Sequence, residues 1–77
     1  MRVLLKDDGN LELILVTELF YDEDGLNFVD YFGNYYVFRG FDRDLATYYI
    51  MKLFNNNFVD LSEFKYECYE DYNNEDA

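Results

Sequence analysis

Seventy-seven residues, 51% hydrophobic and 22% aromatic, suffice for one small core and exclude a multidomain enzyme. Seventeen Asp and Glu against six Lys and Arg, with no His, give a formal net charge of −11, which opposes adsorption to nucleic acid or anionic lipid. Intrinsic disorder is excluded as well, because it requires low hydrophobicity along with high charge.

Asp7-Asp8-Gly9-Asn10 carries the Asp-Gly pair favoured in tight hairpins and separates an expected strand at Arg2–Lys6 from a long one at Leu11–Tyr21. Along the long strand Leu11, Leu13, Leu15 and Leu19 alternate with Glu12, Ile14, Val16, Glu18 and Phe20. One face is therefore wholly apolar, and the other is apolar in its middle with carboxylates towards its ends. The length of Leu11–Phe20 also admits a helix. Asp22-Glu23-Asp24-Gly25 is the next turn, followed by strands at Leu26–Phe32 and Tyr35–Phe41 on either side of Gly33-Asn34.

After Asp42 the period changes. Leu45, Ala46, Tyr49, Ile50, Leu53 and Phe54 recur at three- and four-residue intervals, with Asp44, Thr47, Lys52 and Asn55 opposite, which predicts a helix over Arg43–Phe54. Asp42 is its N-cap and Asn55-Asn56-Asn57 its stop. Beyond it two readings stand for 61–72. Asp60 and Glu63 have capping-box spacing for a second helix, whereas a turn at 60–63 would lead into a strand with Phe64, Tyr66 and Cys68 inward and Lys65, Glu67 and Tyr69 outward. The expected fold is α+β: an antiparallel sheet of four or five strands with one helix packed on one face. Residues 1–72 form the single compact domain and 73–77 a frayed acidic tail.

The chemistry available is narrow. Without His there is no Ser–His or Cys–His nucleophile pair and no imidazole metal ligand. Cys68 lies beside Glu67 and Glu70, whose charge raises a thiol pKa, and as the only cysteine it cannot form an intrachain disulfide, which points to the cytoplasm. A glycosidase-like carboxylate pair would need a cleft that a chain of this length hardly provides. Counting an EF-hand loop from Asp22 puts Asn27 at the sixth position and Gly33 at the twelfth, where Gly and Glu belong, so no metal site and no cofactor are expected. The longest aliphatic run, Leu13-Ile14-Leu15-Val16, is too short for a bilayer, and the amino terminus lacks a signal-peptide core.

The acid itself remains. A net charge of magnitude about 2–8 keeps a small domain soluble, and −11 goes beyond that at a cost in self-repulsion. A globule of this length has a radius of gyration of about 11–12 Å and a diameter of about 30 Å, and duplex DNA of that length carries roughly 18 phosphates, close to the 17 carboxylates here. Glu12 and Glu18 on one strand, or a strand bearing Glu67, could hold carboxylates in rows. The contact groups expected for a basic partner are Asp22, Glu23 and Asp24 on one turn, and Glu67, Glu70 and Asp71 with Tyr69 near the carboxyl end; Asp7, Asp8, Asp42 and Asp44 have turn and cap duties.

In size, acidity, missing His and Pro, and aromatic richness the chain resembles the small phage-encoded inhibitors of bacterial defence, the anti-CRISPR and anti-restriction proteins that mimic DNA. The resemblance is one of composition over the whole chain. It implies a non-enzymatic inhibitor in the cytoplasm of a bacterial host, bound to a basic nucleic-acid-binding protein such as a CRISPR effector nuclease and making no direct contact with nucleic acid or membrane. An acidic immunity protein or antitoxin would use the same physics. A structural or regulatory module that forms a homodimer or larger homo-oligomer through exposed aromatics is the alternative from the residues.

Overall fold

Tight turns set the sheet. Asp8 and Gly9 both adopt positive φ, 50° and 83°, the geometry that matches a two-residue loop to the twist of its strands, and Asp7 pairs with Asn10 across it. The computed structural model describes residues 1–70. It contains β1 (Arg2–Asp7), β2 (Asn10–Asp22), β3 (Gly25–Asp30), β4 (Tyr35–Phe38), α1 (Arg43–Asn56), β5 (Phe58–Asp60) and β6 (Glu67–Tyr69). The fold is α+β, with the strands in the order β5-β1-β2-β3-β4-β6.

The ladders β1–β2, β2–β3, β3–β4 and β4–β6 are antiparallel, as expected. The expectation of an all-antiparallel sheet of four or five strands is corrected at one edge. There a sixth strand, β5, runs parallel to β1 and pairs Arg2 with Phe58, Val3 with Val59 and Leu4 with Asp60. Three residues are too few to show a period, so β5 is fixed from outside. Arg2 donates its backbone N–H to the Asn57 carbonyl at 3.1 Å, and Leu61 donates to Leu4 at 2.9 Å.

A bulge divides β2. The register with β3 shifts between Val16 and Glu18, and the hydroxyl of Thr17, the extra residue, donates to the carbonyls of Val29 and Asp30. An extra residue reverses which face each later side chain takes. Ile14 and Val16 point into the core before the bulge and Leu19 after it, while Leu11, Leu13 and Leu15 point out. Glu12 and Glu18 therefore fall on opposite faces, and the expected row of those two carboxylates does not form.

Helix α1 starts where its cap predicts: Asp42 accepts from the backbone N–H of Leu45 at 2.9 Å. It ends two residues later than expected, at Asn56, where Asn57 takes φ 60° and donates to Leu53 at 2.7 Å. Ala46 and Leu53 are buried, and Leu45, Tyr49 and Ile50 pack against the core. Phe54, expected on that face, is exposed instead. A residue turns about 100° from its neighbour on a helix, so Leu53 and Phe54 cannot both centre on the sheet.

The core joins Val3 and Leu5 of β1, Leu26 and Phe28 of β3, Phe38 of β4, and Val59 and Leu61. Phe28 and Phe38 meet edge to face at 5.7 Å, and Phe41, Tyr49 and Phe64 close the end of the core with ring separations of 4.8–5.7 Å. Of the two readings for 61–72, the turn and strand form within the described residues, the strand being β6. The Asp60 carboxylate accepts from the Ser62 N–H and hydroxyl, which lowers its pKa and holds a turn rather than starting a helix. Phe64 and Tyr66 then face inward, but Cys68 is exposed because the sheet ends at β6. The expected tail at 73–77, and Asp71 and Tyr72 before it, lie outside the described residues. No helix among the described residues is long and apolar enough to cross a membrane.

Candidate protein-binding face

Two acidic groups far apart in sequence meet on the outer face of β3, β4 and β6. The register pairs Leu26 with Phe38 and Val37 with Glu67, which brings Arg39, just past β4, beside both the Asp24 turn and β6. The Arg39 guanidinium lies between carboxylates: Nη1 is 3.2 Å from Asp24 Oδ1 and Nε is 3.0 Å from Glu67 Oε1. It also donates to the Tyr69 hydroxyl at 3.4 Å, and that hydroxyl donates to Glu67 Oε1 at 2.8 Å. The Tyr69 hydrogen bond and then Arg39 hold the Glu67 carboxyl below its ordinary pKa. Side chains here are about half exposed, so the ion pairs add little to stability. Their significance is geometric: two carboxylates and a phenol already grip a guanidinium in an open setting.

The remaining expected residues divide by task. Asp22 serves the turn, since its Oδ1 accepts from the Asp24 N–H at 2.9 Å and from Asn27 Nδ2 at 3.0 Å. Asn27 is fully buried and satisfied, donating also to the Gly25 carbonyl and accepting from the Tyr35 hydroxyl at 2.8 Å. Gly25 is required in this turn: φ is +120°, and a Cβ there would collide with the Phe38 carbonyl oxygen. Glu23, at the tip of the turn, and Glu70, after β6, are exposed. Asp71 is outside the described residues.

Sequence reasoning missed Arg39 and the aromatic row across the same face. Phe20, Tyr35 and Tyr69 follow one another at 6.1 Å centroid spacings. Arg39 was not discoverable by counting from the expected Gly33-Asn34 turn, because the observed pairing of Val29 with Tyr35 closes a longer loop and sets Leu26 opposite Phe38. Nor was the row, because it depends on the bulge having turned Phe20 outward.

Two further features lie on the side of β4 and β6 that faces away from Glu67 and Tyr69. Asp7, Glu12, Glu63 and Glu70, with Lys6 and Lys65, line an open cleft of about 770 Å³ against Tyr36, Tyr66 and Cys68. Burial and the charges of Asp30, Glu70 and Asp7 raise the Cys68 thiol pKa, and burial with Asp7, Cys68, Glu12 and Asp8 raises the Tyr66 phenol. The thiolate form of Cys68 is thereby disfavoured, with Glu70 but not Glu67 among the charges responsible. Among the described residues no cluster has the arrangement to hold a metal ion.

Asp30 supports the hairpin tip beside the cleft. Its buried carboxylate accepts from the backbone N–H groups of Phe32 and Asn34, from Asn34 Nδ2 and from the Tyr36 hydroxyl, at 2.8–3.0 Å. Burial alone would raise its pKa, but these four hydrogen bonds outweigh that and hold it below the ordinary value. Tyr31 and Phe32 are thereby displayed at the tip with their rings edge to face at 5.6 Å.

Compared with protein families, with curated proteins and with solved structures, the chain matches none.

Proposed function

We propose that this protein is a non-enzymatic acidic inhibitor, of the anti-CRISPR or anti-restriction kind, that occupies the basic nucleic-acid-binding surface of a nuclease or related protein in place of DNA. The observation that carries the reading is the meeting of Asp24, Glu67 and Tyr69 around a guanidinium at 3.0–3.4 Å. Groups that hold an arginine of the same chain have the chemistry to hold arginines of a partner, which DNA-binding surfaces present to phosphates. Glu23, at the tip of the turn, extends the acid, while Glu70 lines the cleft on the other side of β6, and Phe20, Tyr35 and Tyr69 give flat apolar area between charges, the composition of an interface anchor. The longest dimension, 38 Å, corresponds to a length of duplex with about 22 phosphates, against 17 carboxylates in the chain. The field of −11 would steer association with a basic surface.

The test is retention of bacterial lysate proteins on the immobilised protein at low salt. Its control column bears Glu23→Gln, Asp24→Asn, Glu67→Gln and Glu70→Gln; Asp22 is left alone because it holds the turn. The reading expects a basic nucleic-acid-binding protein that the wild type retains, the control loses, and free protein displaces from its DNA. A partner retained equally by both columns, or one whose DNA binding is unaffected, contradicts it.

A further inference from the structure

The most apolar face of the sheet is also its least acidic. On β1, Arg2, Leu4 and Lys6 alternate with the buried Val3 and Leu5, and the register sets them against Leu15, Leu13 and Leu11 of β2. On β5, Phe58 and Asp60 continue the row beside Arg2 and Leu4. The leucines are 60%, 52% and 56% exposed at positions 11, 13 and 15, and no element of the described residues covers them. Helix α1 occupies the other side.

From this arrangement we infer that the outer face of β5, β1 and β2 is an interface with a second copy of this chain, independent of the acid-mediated reading above. Three observations choose that occupant. The first is charge: before the bulge, where the leucines lie, the face carries Arg2 and Lys6 against Asp60, in a protein whose total is −11. It offers a basic partner nothing and keeps the acid of two copies apart. Arg2 and Lys6 form no ion pair among the described residues, and a two-fold packing lets the cations of one copy approach Asp60 of the other.

The second observation is area. Tyr31 and Phe32, 71% and 73% exposed, border Leu13 and Leu15 across a shallow groove. With the three leucines they expose roughly 600 Å² of side chain, at the top of the range for a monomer's largest apolar patch. Leu4, Phe58 and the stems of Arg2 and Lys6 bring this near the ~800 Å² that each partner contributes to a stable interface. The third is shape: the patch is a pleated face of alternate residues, which packs on another such face at about 10 Å.

Sedimentation of the full chain over a concentration series, at low and high salt, tests this. The expected result is a mass rising to twice 9.4 kDa, with dimer favoured further by salt as the repulsion between two acidic copies is screened. Leu13→Glu and, separately, Leu15→Lys should return the protein to monomer with unchanged circular dichroism, while Phe54→Glu, on the exposed side of α1, should leave the dimer intact. Mass remaining at the monomer value overturns the inference, including the case in which the same leucines bind neutral lipid vesicles instead. A dimer that survives both substitutions, or one that dissociates on Phe54→Glu, overturns it equally.

Discussion

The two outer faces of this sheet share strand β2 yet differ in kind. Before the bulge at Thr17 the outward residues are Leu11, Leu13 and Leu15; after it they include Glu18 and Phe20, next to the carboxylates, phenols and Arg39 of the neighbouring strands. One extra residue in a strand thus separates an apolar surface from a charged one with no second domain. The separation lets a small chain carry a large excess of acid and still expose apolar area, because the two do not compete for the same face.

Glycine substitutions in the two hairpins give the largest expected contrast. Gly25→Ala must meet the Phe38 carbonyl oxygen, whereas Gly9 has open space around it and only its φ of +83° against substitution. Gly25→Ala should cost about 3 kcal/mol and Gly9→Ala about 1 kcal/mol in denaturant unfolding. Equal costs would break the claim that the charged face is built on the tighter turn.

Next is Asp30, which holds the aromatic tip that extends the apolar face. Asp30→Asn should cost about 2 kcal/mol at neutral pH, as hydrogen bonds to a buried charge are lost. Its carboxyl pKa is lowered in the folded protein, so its stabilisation is complete above the unfolded value of about 3.9 and disappears as pH falls through the folded one. The gap between wild type and variant should therefore close below about pH 4, as read from thermal unfolding across pH. A gap independent of pH would mean that the carboxylate charge is not what holds the tip.

Smaller still is the effect of replacing the exposed leucines on the stability of a single chain. Leu13→Gln should change monomer unfolding, measured at a concentration too low for association, by no more than about 0.5 kcal/mol. A larger loss would make the leucine face part of the core rather than a surface. Smallest of all is the thiol: Cys68, although exposed as a residue, should react with iodoacetamide at neutral pH more slowly than a free cysteine, because partial burial against the cleft and the charges of Asp30, Glu70 and Asp7 raise its pKa. Reaction as fast as free cysteine would show that the cleft does not hold the negative field assigned to it.

The first two hairpins, the helix and the Asp42 cap were legible because turn chemistry and period are local properties of residues. So was the terminal strand, although Cys68 proved exposed. The third hairpin, expected with strands to Phe32 and Phe41, stops instead at Asp30 and Phe38, because the Asp30 carboxylate organises a wider loop. Strand β5 was not legible, since Val59 gains its place only from β1. Nor was the direction of the leucines, because alternation identifies two faces without saying which one turns inward, and the bulge reverses them midway. The candidate face was half legible. Asp24, Glu67 and Tyr69 follow from charge and aromatic content, but Arg39 joins them only through register, and Asp22 proved to serve the turn.

The most direct measurement is the rate at which a retained basic partner associates with three forms of the protein as ionic strength rises: wild type, the variant with Glu23, Asp24, Glu67 and Glu70 neutralised, and Leu13→Gln. Two faces with separate tasks predict that wild type and Leu13→Gln associate fast at low salt and slow steeply as salt is added, while the neutralised form is slow and nearly flat. A neutralised form as fast and salt-sensitive as wild type, or a Leu13→Gln form that no longer associates, would contradict the division of labour between the faces.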